Sequence, residues 1–233
     1  TTDIQVTLNE RNLNDNSPVF VDPASPSTTV SSYTFGYDEN QTSASTVLGT
    51  VRATDADGNS ISYSITSNVR DGSGNNLFAI DSSGRITLTT AGLAAFTNDY
   101  EALANSHVLT VRASDGTNTT DIQVTLNERN LNDNSPIFVD PASPSTTVSS
   151  YTFSYDENQT SASTVLGTVR ATDADGNAIS YSITSNVRDG SGNNLFTIDN
   201  SGRIKLTTAG LAAFTNDYES LANSHALTVG GPD

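Results

Sequence analysis

The chain repeats itself. Residues 1–111 align without a gap with residues 119–229, at a period of 118. The copies differ only at Val19/Ile137, Gly36/Ser154, Ser60/Ala178, Ala79/Thr197, Ser82/Asn200, Thr87/Lys205, Ala102/Ser220 and Val108/Ala226. A fixed period defines the structural unit before any other feature is read. A unit of roughly 100 residues can bury its own core, so the 233 residues form two independent domains rather than one large one. The expected divisions are 1–16, carrying the last strand and linker of a preceding copy; 17–134, the first repeat; and 135–233, the second, without its last strand. A spacer gains length from near-identical copies, whereas a catalytic chain has little use for the same domain twice.

Within a unit, apolar and polar residues mostly alternate, the period of a half-buried strand. Residues 4–8, 46–51, 61–65, 77–80, 85–88 and 108–111 each read as a strand. Asp57, Gly58 and Asn59, then Asp71, Gly72, Ser73 and Gly74, then Ser83 and Gly84 supply turn chemistry between them. Short strands punctuated in this way predict an all-β sandwich. Leu93, Phe96, Tyr100 and Leu103 fall at spacings of three and four, which predicts a short crossover helix within 89–103. Residues 22–29 read as a Pro/Ser/Thr loop, and residues 130–136 as the junction between repeats.

Charge narrows the partners. The chain has 26 acidic and 10 basic residues, a formal charge of -16. Nucleic acid binding needs Lys and Arg against phosphate, so nucleic acid is not an expected partner, and neither is an anionic membrane surface. No apolar run is long enough to span a bilayer. There is no Cys, so neither disulfides nor thiol chemistry is available. No signal-peptide pattern stands at Thr1, and the chain reads as an excerpt of something longer.

The acids recur in short motifs at strand ends: Asp38, Glu39 and Asn40; Asp55, Asp57, Gly58 and Asn59; Asp99, Tyr100 and Glu101; and Leu131, Asn132, Asp133, Asn134 and Pro136, with Asp115 ahead of the last group. Hard cations such as calcium take about six to eight oxygens from carboxylates, amides and carbonyls. Alternating Asp and Asn, with Gly for the turn, supply them. Zinc would want Cys or His. His107 and His225 have no ligand-like sequence neighbours and read as structural. Catalysis is not expected: the acids lack an apolar cleft or a Trp platform for a glycosidase, and no Gly-x-Ser-x-Gly elbow occurs.

In this order the motifs resemble the cadherin repeat, and the resemblance covers both units end to end. The most specific stretch is Asn132, Asp133, Asn134, Ser135, Pro136, Ile137, Phe138, already present as Asn14, Asp15, Asn16, Ser17, Pro18, Val19, Phe20. It implies two tandem Greek-key β-sandwiches of immunoglobulin-like topology. The near-identical copies and Cys-free, Ser/Thr/Asn-rich composition look like bacterial cadherin-like repeats of large surface or adhesin-type proteins, hence an extracellular or cell-surface setting.

The resemblance also implies calcium at the junction. Carried over, the ligands are Glu39, Asp99 and Glu101; Asn130, Leu131, Asn132, Asp133 and Asn134; and Asp173, Asp175 and Asn177, with Asp233 as the final one. Asn130 and its copy Asn12 stand where the family usually has Asp, which weakens the middle of three positions, so two or three ions are expected. Asn14, Asp15, Asn16, Asp55, Asp57, Asn59 and Asp115 form a half-site at one end, and Glu157, Asp217 and Glu219 at the other. Seven carboxylates gather at the junction. Like charges about 4 Å apart repel by about 1–4 kcal/mol at surface dielectrics, so calcium is expected to turn a hinged pair into a rod.

Residues 1–9 copy residues 119–127, the last strand of the first unit. Either strand 1–9 completes the second unit of a neighbouring molecule, head to tail, or it trails loosely. The function that follows is a calcium-rigidified extracellular spacer or adhesion segment, partnered by neighbouring repeats. The alternative is calcium-dependent carbohydrate binding or homophilic recognition. Tyr33, Tyr37, Tyr151 and Tyr155 could stack on a polysaccharide but read more readily as packing residues.

Overall fold

The computed structural model describes residues 2–102, 104–220 and 223–231. It divides into two units, Thr1–Leu131 and Asn132–Asp233. The first unit runs β1 (Val19–Asp22), β2 (Ser25–Thr29), β3 (Ser32–Asp38), β4 (Gly49–Thr50), β5 (Ala53–Thr54), β6 (Ser62–Ser67), β7 (Phe78–Ile80), β8 (Arg85–Leu88), the short helix α1 (Thr90–Leu93), β9 (Ser106–Ser114) and β10 (Thr119–Arg129). These pair as three sheets, ordered β2-β1-β5, β3-β10-β9-β6 and β4-β8-β7.

Alternation explains the burial. On β10, Ile122, Val124, Leu126 and Glu128 share one face, and all four are buried. Leu109 and Val111 on β9 and Ile86 and Leu88 on β8 complete the sandwich with Leu77 and Phe78. β10 is an inner strand, parallel to β3 and antiparallel to β9.

The structure corrects four expectations. Residues 4–8 form no strand; they lie exposed with no ladder beside them, and an isolated strand is not stable in water. Residues 22–29 are not wholly a loop. The Asp22 carboxylate accepts the Ala24 N–H at 2.8 Å, and the turned chain pairs back on β1 as β2. Pro26 is tolerated because β2 is a sheet edge. Within 46–51 only Gly49 and Thr50 pair.

The crossover helix is a single turn. Thr89 caps it, its hydroxyl oxygen accepting the Gly92 N–H at 3.0 Å. The Asn98 side chain then takes the Leu93 carbonyl at 3.1 Å and draws the chain into 3-10 turns. Leu103, the last residue of the predicted helix, lies outside the described residues. At Gly92 a Cβ would fall 2.1 Å from the Leu77 carbonyl oxygen, so glycine is required there.

The second unit follows the same course: β11 (Ile137–Asp140), β12 (Ser143–Thr147), β13 (Gly167–Thr168), β14 (Ala171–Thr172), β15 (Ser182–Ser185), β16 (Phe196–Ile198), β17 (Arg203–Leu206), α2 (Thr208–Leu211) and β18 (Thr228–Gly230). Among the described residues nothing lies where β10 lies in the first unit. The counterparts of β3 and of most of β9 form no ladder there, and β15 pairs only with β18.

Candidate metal centre

At one end of the first unit, β3 delivers Glu39 beside the 3-10 turns that carry Asp99 and Glu101. The three offer carboxylate oxygens within 4.8 Å of one another. Glu39 is only 2% exposed. Its Oε2 accepts the Tyr100 N–H at 2.6 Å, and its Oε1 accepts the Leu131 N–H at 2.7 Å. Asn40 follows in the left-handed region, φ 59°. Asn98 clamps this corner: its Oδ1 accepts the Gln41 N–H at 2.6 Å, and its amide donates to the Gln41 carbonyl at 3.0 Å. Like charges this close repel by about 1–3 kcal/mol per ionised pair at effective dielectrics of 80 to 20. None of the ion pairs among the described residues involves Glu39 or Asp99.

The opposite end of the same unit is built from the loop after β5. Asp55 Oδ1 accepts the N–H groups of Asp57 at 2.9 Å and Asn59 at 3.2 Å, a turn completed by Gly58 at φ 79°. Asp57 Oδ2 accepts the N–H groups of Asp15 at 3.0 Å and Asn16 at 2.8 Å, and its Oδ1 accepts the Asn16 side-chain amide at 2.9 Å. The Asn16 main-chain donor, then its side chain, hold the Asp57 carboxyl below the usual carboxylate range. Asp115 Oδ1 accepts the Thr117 and Asn118 N–H groups, and the Asn118 side chain reaches the Asn16 carbonyl at 3.0 Å. Asn14 donates to the Thr117 hydroxyl at 3.3 Å, and Asn12 to the Asp57 carbonyl at 2.8 Å.

The second unit rebuilds both ends from the same motifs. Asp133 and Asn134 donate their N–H groups to Asp175 Oδ2 at 3.1 and 2.8 Å. Asp173 Oδ1 accepts the Asn177 N–H at 3.3 Å. Glu157, Asp217 and Glu219 form the counterpart triad, their oxygens also within 4.8 Å, with Glu157 Oε2 taking the Tyr218 N–H at 2.7 Å. Asn132 and Leu131 are exposed, and Asn130 joins no strand. Asp233 lies outside the described residues.

Two atoms test whether a cation fits. Asp55 Oδ2 and its counterpart Asp173 Oδ2 are buried and find no hydrogen-bond partner. Their companion oxygens are occupied by turn amides, so the second oxygen of each is held free of neighbouring donors. A buried carboxylate oxygen without a donor costs about 1–3 kcal/mol or more. A hard cation with oxygen ligands supplies the missing charge, and the donor set, all carboxylate, amide and carbonyl, suits it.

Sequence reading missed one feature. His107, assigned no neighbour, lies with its Nε2 3.6 Å from Glu128 Oε2, and both side chains are buried. Phe78 and Phe96 flank the imidazole with ring centroids at 5.6 and 5.9 Å. The signal was present, since Glu128 shares the inward parity of Ile122, Val124 and Leu126. The tyrosines pack: Tyr33 donates to the Val21 carbonyl at 2.6 Å, Tyr37 to the Thr97 carbonyl at 2.7 Å, and both are buried. Burial against Glu128 pushes the Tyr37 hydroxyl well above its ordinary value.

These features define a class: tandem β-sandwich repeats with acid-rich loops at both ends of each unit. No family model matches the chain. Mouse cadherin EGF LAG seven-pass G-type receptor 1 is 33% identical over 170 residues, 73% of this chain and 5% of that protein. Human protocadherin Fat 4 is 30% identical over 208 residues, 89% of this chain and 4% of that protein. The solved protocadherin gammaB7 EC3-6 cis-dimer matches with a TM-score of 0.66 at 23% identity, over 96% of this chain and 49% of that one. Over these stretches the chain is similar to proteins of the cadherin family and shares their fold, and it spans about a twentieth of the curated relatives it matches.

Proposed function

We propose that the chain is a calcium-stiffened adhesion or spacer segment of an extracellular protein. Calcium is held where the two repeats join: Glu39, Asp99 and Glu101 serve from the first repeat, residues 130–134 from the linker, and Asp173, Asp175 and Asn177 from the second. The observation that carries this reading is the unpartnered buried oxygen of Asp55 and Asp173, present at the same place in both units. The burial of Glu39 with both oxygens tied to main-chain donors supports it, because it holds the neighbouring carboxylates together rather than letting them swing apart.

The chemistry asked of calcium is charge neutralisation and crosslinking of loops from different repeats. Without it the acids repel, and the joint bends; with it the repeats act as one rod. Nothing in this requires a reaction, and the role is structural rather than catalytic. The neighbours are repeats of the same protein. Among the described residues no helix is long and apolar enough to cross a membrane. A polysaccharide partner finds no support in Tyr33 and Tyr37, which are buried. The near-identical copies and the Cys-free, Ser/Thr/Asn-rich composition support an origin in a bacterial surface protein.

The test is calcium titration by calorimetry together with small-angle scattering in calcium and in EGTA. The expected result is saturable binding of two or three ions and a maximum dimension that grows when calcium is added. An unchanged dimension with no heat of binding refutes the reading.

A further inference from the structure

The corner that holds Glu39 carries a second, unrelated chemistry. Asp38, Glu39, Asn40, Gln41 and Thr42 follow one another at the end of β3, and Asp156, Glu157, Asn158, Gln159 and Thr160 repeat them in the second unit. Asparagine followed two residues later by Ser or Thr, with no Pro between, is the acceptor for an N-linked glycan. The transferase reads the hydroxyl and so holds the asparagine at its active centre. Transferases with a longer recognition site also read an acid two residues before the asparagine, and Asp38 and Asp156 stand there.

The fold accounts for most of this pentapeptide but not for its threonine. Among the described residues, Asn40 and Asn158 are the two non-glycine residues at positive φ, 59° and 58°, a conformation that Asn tolerates better than most side chains. Gln41 is fixed by Asn98, whose side chain meets its N–H at 2.6 Å and its carbonyl at 3.0 Å, and Gln41 Nε2 donates to the Asp38 carbonyl at 2.9 Å. Asn216 holds Gln159 in the same way, at 2.6 and 2.9 Å. The Thr42 hydroxyl has no part in the bonds that hold this corner. Asn40, Thr42, Asn158 and Thr160 are all exposed, and residues 39–48 form no ladder. An exposed loop is where a bulky, solvated modification fits.

A third match, Asn118, Thr119 and Thr120, provides the contrast. Asn118 is half-buried in the turn between β9 and β10. Its side-chain amide donates to the Asn16 carbonyl at 3.0 Å and to Asp115 Oδ2 at 3.3 Å. A sugar on that nitrogen would break up the loops it ties, and the residue two places before it is Gly116 rather than an acid.

We propose that Asn40 and Asn158 are N-glycosylation sites, modified by a membrane oligosaccharyltransferase that uses a lipid-pyrophosphate-linked oligosaccharide. The asparagine Nδ2 attacks C1 of the donor's reducing sugar. The bond from C1 to the pyrophosphate oxygen breaks, the C–N bond forms, the amide gives up one proton, and the lipid pyrophosphate leaves. Because Asn98 pins Gln41 in the folded unit, the chain is modified as it emerges, before β3 and the 3-10 turns come together. The glycan then flanks Glu39, whose two oxygens are already held by the Tyr100 and Leu131 N–H groups, and it displaces none of the proposed calcium ligands. The inference rests on the extracellular setting proposed above and not on calcium.

The test secretes the 233-residue chain behind a leader, in cells whose co-secreted reporter, bearing the sequence of residues 33–47, is glycosylated. Peptide mapping by mass spectrometry is expected to find the glycan on Asn40 and Asn158 and none on Asn118. Asn40→Gln and Thr42→Ala should each abolish it at the first site, with Asn158 as the internal measure, and Thr42→Ser should retain it. The same chain kept in the cytosol should be unmodified. Unmodified Asn40 and Asn158 beside a modified reporter overturn the proposal, as does a glycan that survives Thr42→Ala or that sits on Asn118 instead. Calcium titration of the same product separates the two readings. An unmodified chain that binds calcium overturns only the glycan, and a glycosylated chain that binds none overturns only the calcium centre.

Discussion

Asp173→Asn is the sharpest perturbation of the proposed calcium centre. The Asp173 carboxylate divides its work: Oδ1 accepts the Asn177 N–H, while Oδ2 is buried and without a hydrogen-bond partner. Asparagine retains an oxygen for the Asn177 amide but puts an NH2 in place of Oδ2. The turn is preserved, and the proposed cation loses a charged ligand. One site filled at a hundredfold excess over its dissociation constant stabilises the folded state by about 2.7 kcal/mol. For a unit of this size that is about 10–20 °C in melting temperature. In EGTA the change should stay within about 1 kcal/mol, because a desolvated carboxylate oxygen is exchanged for a desolvated amide donor. Melting by circular dichroism, with and without calcium, reads the difference. The expected pattern is near-equality in EGTA and a large deficit in calcium. Equal losses in both conditions would mean that Asp173 only holds the turn, and the reasoning from its unpartnered oxygen would be wrong.

Two further outcomes are expected. His107→Leu leaves Glu128 buried without its partner and should cost the first unit about 3–5 kcal/mol, while His107→Leu with Glu128→Leu should recover most of that loss. Urea unfolding of the four-member cycle measures the coupling, and additive losses would refute an interaction between the two groups. Asp57, held below the usual carboxylate range by Asn16, should stay ionised at pH values where a free Asp is protonated. A carboxyl depressed on folding contributes stability above its unfolded value, and that contribution is lost as pH falls through the folded value. Carbon-detected titration in EGTA should show the depression, and Asn16→Ala should move the Asp57 midpoint back toward the ordinary value; no movement would refute the assignment.

Much of this was legible before any coordinates. The period of 118 marked two units, and alternation marked the strands that pair. Where it misled, at residues 4–8, the alternation is real but a strand needs a partner beside it, and the first unit already has that strand as β10. At residues 22–29, Pro and Ser masked a hairpin edge that tolerates them. The spacing of three and four after Thr89 was read as a helix, yet Asn98 takes the Leu93 carbonyl and stops it after one turn.

For the candidate centre, the residue types and their order were readable, but their meeting was not. Glu39 and Asp99 are 60 positions apart. They converge because β3 ends beside the 3-10 turns, with Asn98 tying the two loops. The buried His107–Glu128 pair likewise needed β9 and β10 to lie side by side, although the parity of Glu128 had already placed it facing inward.

By itself, then, the sequence determined the repeat, the β-sandwich class and the acidic, amide-rich chemistry at strand ends. These are local properties of spacing and side-chain type, and they survive in one dimension. Only the tertiary structure decided which carboxylate oxygens are tied by turn amides and which are left over. It alone showed that the last strand is the inner strand of its sheet. A strand's place in a sheet is set by pairing with segments far along the chain, so nothing within residues 119–129 themselves could place β10 between β3 and β9.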